Sequence, residues 1–507
     1  MRVAAWLALA ALSVAVGVVA SVTSVPAPGI AAALSCVALM CIALGAWSLA
    51  NERDPLSPLF ILSGVLLVLY VLRPIYILTS GRIGPARALD DRQVTIAIEG
   101  SMTHALWLVA LGILGIALGY FVRRGAPAPE LGGWRALRGR IRSAGVIRVS
   151  PDGALVSVLL AFLLAAVAYW SLIRQAGGFG PYINELSLRS GLFYGRGYLA
   201  LVTIPLKVAA LCLVAVMLVQ HRRLSVSQKW FLGGLVLVVT IGDFLSGGRA
   251  ALILGTLLPV TVLVHYLRRP LAARTLVFVL AGAVVLFVGS RVVTRDAVYE
   301  GRQQSRAALV QQALLHLPAS TVGSHEAIPF DSLVTLVDAS NAGAPLQLGR
   351  TYLPILSFLV PRAVWHGKPV GGANAWFTRT YYPDYYGPDR IETSVSMIGE
   401  LYANFGAAGI VVGCFLFGFV ASLLYRRLLA TSSLRYVLLY ALLLGYVFTL
   451  VRGDAYHSIT GAYLTAGLAL LMYPVMVRPL RSPIRDPAPP AYGLAAGGPA
   501  TSLQKRQ

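Results

Sequence analysis

The sequence predicts an all-α, polytopic integral membrane protein of about twelve transmembrane helices with one long outer loop. Three observations carry this expectation. Of the 507 residues, 57% are hydrophobic and 12% charged, with a mean hydropathy of +0.74, more apolar surface than a soluble core of this length absorbs. The apolar residues fall in runs long enough to cross a bilayer. The formal charge of +22 collects in short segments flanking those runs and shows no aromatic-interleaved basic platform, so it reads as a topology signal and not as a nucleic-acid surface.

Taken in order, Val3 to Val25 reads as a retained first helix, because it is too long for a signal-peptide core and shows no convincing cleavage site before Pro26. Pro26-Ala-Pro28 turns the chain into spans at about Gly29 to Ala50, Pro58 to Leu78 and Thr103 to Val122. Residues 123–152 are the most basic stretch, with Arg123, Arg124, Arg135, Arg138, Arg140, Arg142 and Arg148 against Glu130 and Asp152, and the positive-inside rule places them in the cytoplasm. Spans near Ala154 to Ile173 and Leu199 to Val219 follow. An apolar run from Trp230 to Tyr266 is then interrupted by Ser246-Gly-Gly-Arg249. That pattern predicts a helical hairpin whose glycines allow a tight turn and lift Arg249 to the membrane surface. A planar guanidinium there suits a phosphate or pyrophosphate headgroup, the plain alternative being an interface anchor.

After a span near Leu276 to Val293, residues 294–395 form the long external segment, in which Leu346 to Trp365 is a candidate re-entrant stretch. This segment, together with Arg291 just before it, holds His325, Arg362, Lys368 and Glu392, and it mixes cations with the aromatics of Trp365, Trp376 and Tyr381-Tyr-Pro-Asp-Tyr-Tyr386. Aromatic faces stack on sugars and cations hold phosphate; the alternative is an interfacial aromatic belt with snorkelling cations. Residues 396–477 supply three last spans, and the Pro/Ala/Gly-rich 478–507 reads as a disordered cytoplasmic tail. Glu400 and Asn404, four residues apart at the start of span ten, share a helix face. An ionisable group there is costly without a cavity or a partner, so a functional role is expected, with an arginine pairing as the structural alternative. Arg452-Gly-Asp-Ala-Tyr-His457 joins the last two spans on the same outer side. The four cysteines lie in apolar runs without ligand spacing, and neither the long loop nor the Arg452 turn offers a compact carboxylate or His/Cys cluster for a metal, while Asp90-Asp91 in the second outer loop leaves a metal-dependent glycosyltransferase as an alternative.

Several separated stretches together resemble the oligosaccharide repeat unit polymerases, the O-antigen or Wzy-type family. They are Leu186-Ser-Leu-Arg189 with Gly195-Arg-Gly-Tyr198, Ser246-Gly-Gly-Arg-Ala250, Pro361-Arg-Ala-Val-Trp-His-Gly-Lys-Pro369, Gly399-Glu-Leu-Tyr-Ala-Asn-Phe-Gly406 and Arg452-Gly-Asp454. The resemblance implies a GT-C-like, metal-independent membrane glycosyltransferase of the cytoplasmic membrane with both termini inside. Its donor would be an undecaprenyl-diphosphate-linked chain, its acceptor a lipid-linked repeat unit, and its further partners membrane lipids and a chain-length regulator protein. A diphosphate leaving group needs cations, for which Arg249, Arg362, Lys368 and Arg452 are candidates, with Arg189 and Arg291 beside them. The attacking hydroxyl needs a base; Glu400 is favoured, with Glu392, Asp454, His325 and His457 in reserve and Tyr402 and Asn404 as neighbouring contacts. A ligase of the same superfamily would look alike. A flippase fits less well, because no internal repeat is visible and one loop dominates.

Overall fold

The computed structural model describes residues 28–80, 98–122, 151–186, 201–220, 225–246, 251–272, 327–358, 364–369, 371–386, 392–431 and 433–479, residue 360, and short pieces of 136–149, 274–285 and 311–323. Among them the protein is nearly all helix. The first half comprises α1 (Pro28–Asn51), α2 (Pro58–Ser80), α3 (Ile98–Phe121), α4 (Pro151–Gln175), α5 (Phe179–Glu185), α6 (Thr203–Gln220), α7 (Val226–Leu245) and α8 (Leu252–Arg268). The second comprises α9 (Pro329–Asn341), α10 (Leu353–Ser357), α11 (Ala373–Tyr381), α12 (Ser396–Ala430), α13 (Leu434–Arg452) and α14 (Ala455–Met476).

Nine of the described helices are long and apolar enough to cross a membrane. The expectation of twelve is therefore not met among the described residues. The first expected span lies outside them, the ninth is described only in part, and α8 is a shorter helix that begins and ends in π-helical turns at Ala251–Leu257 and Val264–Arg268. The all-α expectation needs one small correction: β1 (Ile147–Val149) and β2 (Val477–Pro479) pair antiparallel, with Arg148 opposite Arg478.

Where a helix has no preceding turn, a side chain serves its orphan N–H groups. Ser57 caps α2 through Phe60 N, followed by Pro58 at the first helical position, and Ser225 and Gln228 form a reciprocal capping box on α7. One core gathers α1, α2, α3, α9 and α12 around Leu59, Leu66, Leu106, Ile113, Phe330 and Ile410. The backbones of α3 and α12 come so close that a Cβ on Gly119 would sit 1.9 Å from the Phe415 carbonyl oxygen, and one on Gly418 would sit 2.1 Å from that of Ile116. Close contact of small residues is how helices associate where no hydrophobic driving force separates them from lipid. A second core joins α6, α8, α13 and α14 around Val208, Val262, Val437 and Ala469.

Inside the external segment expected from the sequence, α9 is buried along Pro329–Val337. A buried ion pair holds it: Arg73 Nε and Nη2 donate to Asp331 Oδ1 and Oδ2 at 2.8 and 2.5 Å, while Ser101 donates to Asp338 at 3.2 Å. Among the described residues of the candidate re-entrant stretch 346–365, the helical elements are a 3₁₀ turn at Arg350–Tyr352 and the five-residue α10. Arg140 donates to the carbonyls of Leu429 and Thr431 at the end of α12, so part of the basic segment sits at one end of this long helix. Glu400 lies beyond the break in α12 at Gly406.

Candidate active site

The junction between α13 and α14 builds the centre. Gly453 closes α13 by donating to Thr449 O at 2.7 Å, and Asp454 follows in an extended conformation as the N-cap of α14. Asp454 Oδ1 accepts the main-chain N–H of His457 at 3.0 Å and lies 2.8 Å from Nδ1 of the same ring. Its Oδ2 accepts Asn374 N at 3.1 Å, which serves the start of α11. One fully buried carboxylate thus satisfies two helix N-termini. The approach demands glycine at 372, where a Cβ would lie 2.5 Å from Asp454 Oδ2 and 2.4 Å from Tyr456 Cβ.

A second carboxylate reaches the same helix start. Glu400 Oε2 accepts Ala455 N at 2.7 Å, and Oε1 accepts the Thr351 hydroxyl at 2.8 Å. Only 1% of Glu400 is exposed, and among the described residues no arginine pairs with it. Thr351 in turn accepts from Asn404 Nδ2 at 2.8 Å, and Asn404 Oδ1 accepts Gly349 N at 2.9 Å. This stitching is possible because α12 is broken at Gly406 (φ 64°, ψ −156°), a backbone conformation essentially reserved for glycine. The break releases the carbonyls of Ala403 and Asn404, and Gln347 N and Leu348 N bond them at 2.9 and 3.1 Å.

Glu392 enters from the chain leading into α12, its Oε2 3.8 Å from His457 Nε2. That chain is fixed on both sides. Thr393 N donates to Thr378, Val395 N donates to Asn374 Oδ1, and Ser332 donates to Ser394 O. The His457 side chain is 52% exposed against 0% for Asp454, so the imidazole is the half-open member of a pair whose carboxylate is sealed. Burial pushes the Asp454 carboxyl upward, but the charge of His457, the hydrogen bonds from its ring and N–H, and that from Asn374 N outweigh it and hold the group below the usual carboxylate range.

The structure therefore brings Glu400, Asn404, Glu392, Asp454 and His457 together. Arg452 ends α13 two residues before Asp454. Lys368 donates to the carbonyls of Phe358 and Val360 at 2.9 and 3.0 Å and lies over the Phe358 ring, whose edge meets Tyr456. Tyr402 is 7% exposed and its ring packs against His104 of α3. Arg189, Arg249, Arg291, His325 and Arg362 lie outside the described residues. Sequence reasoning missed Thr351 and Asn374, the two bridges of the network. The Gly371-Gly372 pair ahead of Asn374 is a usable signal of a tight helix start, while Thr351 has none. Among the described residues no group of three His, Cys, Asp or Glu side chains is arranged to hold a metal ion.

These features define a multi-pass helical membrane protein with a carboxylate–imidazole centre at one end of its bundle. Residues 366–479 match the family model of the O-antigen polysaccharide polymerase Wzy. The matched stretch contains Lys368, Glu392, Glu400, Asn404, Arg452, Asp454 and His457, and the resemblance to Wzy-type polymerases is shown there. No curated protein and no solved structure matches the chain.

Proposed function

We propose that the protein polymerises lipid-linked oligosaccharide repeat units on the outer face of the cytoplasmic membrane, with His457 as the general base and Asp454 as the residue that orients it. The observation that carries this reading is the Asp454–His457 pair within the stretch matched to the Wzy family. Asp454 accepts the Nδ1 proton, which directs the basic Nε2 lone pair toward the half-exposed side. An acceptor sugar hydroxyl gives its proton to Nε2 while its oxygen attacks the anomeric carbon of the donor. The bond from that carbon to the diphosphate breaks, and the leaving group departs with the electron pair. Glu392 beside Nε2 stabilises the imidazolium, which then returns its proton to water.

In this reading Glu400 acts as a positioning residue, because both of its oxygens are already used by Thr351 and Ala455. Arg249, Arg362 and Arg452 hold the diphosphate, joined by Arg189, Arg291 and, at its margin, Lys368 and His325. Both termini lie in the cytoplasm, the donor is undecaprenyl-diphosphate-linked, and a chain-length regulator is a partner. The reaction proceeds without a metal, so activity in a reconstituted assay survives EDTA; strict dependence on added magnesium would contradict this.

The function is tested by deleting the gene and examining the surface glycan. Chains stopped at one repeat are expected. Lipid-linked polymer that never reaches its acceptor would mean a ligase, and repeats trapped on the inner face would mean a flippase.

A further inference from the structure

We propose that Arg73 is a positioning residue for this reaction: by pairing with Asp331 it fixes the start of α9, whose Ser332 holds the chain that carries Glu392 to His457. The inference rests on the reading of Glu392 as the group that stabilises the His457 imidazolium.

Arg73 stands at an irregularity of α2. Pro74 lacks an N–H and its ring crowds the carbonyl four residues back. The helix accommodates it with the π-helical turn Val68–Leu72, which Arg73 closes by donating its N–H to Val68 O. Three nitrogens of the guanidinium are used: Nε and Nη2 grip both oxygens of Asp331, and Nη1 donates to Val322 O at 2.9 Å. The Tyr70 ring, from the same π turn, meets the Phe330 ring of α9 edge-on at 6.4 Å. The ion pair is buried, with 2% of Arg73 and 1% of Asp331 exposed, and apolar residues of similar volume would serve stability as well or better. What the planar fork adds is a fixed orientation of α9.

That orientation is passed to the site by the next residue. Ser332 donates to Ser394 O at 2.8 Å, two residues after Glu392. The chain at this point needs holding, because Ser396 takes φ 71°, a left-handed conformation that a residue with a Cβ keeps only where its surroundings enforce it. The enforcing bonds come from Ser332 on one side and from Asn374 on the other, whose Oδ1 accepts Val395 N at 2.9 Å. Releasing the α9 side lets the strained entry relax and draws Glu392 from its place 3.8 Å from His457 Nε2. Three carboxylates act on that imidazole: Glu392, Asp454 and Glu400. Asp454 and Glu400 are held by their own bonds to Asn374, His457, Ala455 and Thr351, so Glu392 is the member that depends on α9.

The test uses the full chain in lipid nanodiscs, supplied with diphosphate-lipid-linked repeat units, with the rate followed against pH. The double variant Arg73→Met/Asp331→Leu removes both charges together and strands neither. It is expected to insert and melt near the wild type while kcat falls by about ten- to a hundredfold. The acid limb of its profile should move down by about half a pH unit, because an imidazolium without its carboxylate neighbour gives up its proton more easily. Ser332→Ala, which keeps the ion pair and removes one hydrogen bond, should move the limb the same way with a smaller loss of rate. Glu392→Gln alone should show the full shift, and adding it to the double variant should move the limb no further. An acid limb unmoved in either α9 variant while Glu392→Gln moves it, a further shift on combination, or failure of both α9 variants to insert would each overturn the inference. An unmoved limb in Glu392→Gln itself would instead overturn the reading of Glu392 on which it rests.

Discussion

Glu400 Oε2 accepts the main-chain N–H of Ala455 at 2.7 Å, so this carboxylate sits on the first residue of the helix that carries His457. Asp454 takes the N–H of His457 itself, and the positive end of α14 thus receives two carboxylates side by side. One of them touches the imidazole and the other sets the helix that presents it.

Glu400→Gln follows from this division. The amide retains one acceptor, for Ala455 N, and turns a donor toward Thr351, so the Thr351 contact survives only with its direction reversed while the protein still inserts. Glycosyl transfer should fall by roughly ten- to a hundredfold through kcat, with the pH profile keeping its wild-type shape. Loss of the acid limb of that profile in the Gln variant would return the role of base to Glu400.

Gly372→Ala tests the Asp454 contact without touching a charge. The added methyl group would meet Asp454 Oδ2 at 2.5 Å, forcing the carboxylate or α11 to move. Activity close to that of Asp454→Asn is expected in the same polymerisation assay; wild-type activity would show that the close approach is dispensable.

Asp454 also sets a pH dependence of stability. Its carboxyl is held below the usual range, so its contribution is complete above the unfolded-state value of about 3.9 and is lost as pH falls through the lower folded value. The wild type should therefore melt above Asp454→Asn from neutral pH down to about 5, and the two should converge only in stronger acid. Convergence between pH 7 and 5 would contradict the assignment.

Gly406→Ala probes the broken helix. There is open space around the glycine, but φ 64° with ψ −156° strains any side chain, at a cost of about 1–3 kcal/mol. The expected result is a lower melting temperature together with shorter chains, since Asn404 and Thr351 lose register with Glu400. An unchanged melting temperature would show that the break is not held in place by Gly406.

Much of the fold was legible because membrane spans announce themselves by apolar length: α1, α2, α3, α4, α6, α7, α12, α13 and α14 each overlap a run read from the sequence. The buried α9 was not, because its Asp331 and Asp338 disguise it as loop and the arginine that neutralises Asp331 lies 258 positions away. The strands were hidden for a related reason: three residues pairing across the chain carry no local pattern. At the site, Glu400 and Asp454 stood out as carboxylates next to apolar runs. Their division of labour was invisible, because the groups deciding it are the main-chain N–H groups of Ala455, His457 and Asn374 and the hydroxyl of Thr351. The Gly399–Gly406 motif gains a physical reason, since its last glycine is the point at which α12 breaks.

The most direct test of the central claim is the rate of glycosyl transfer by purified His457→Gln protein in nanodiscs, followed against pH beside the wild type. Removing a general base should lower the rate by about 10²–10⁴-fold and remove the acid limb expected of the wild type, in which a protonated imidazole can accept no proton. A His457→Gln protein that still polymerises near the wild-type rate, with that acid limb intact, would contradict the assignment of His457 as the base.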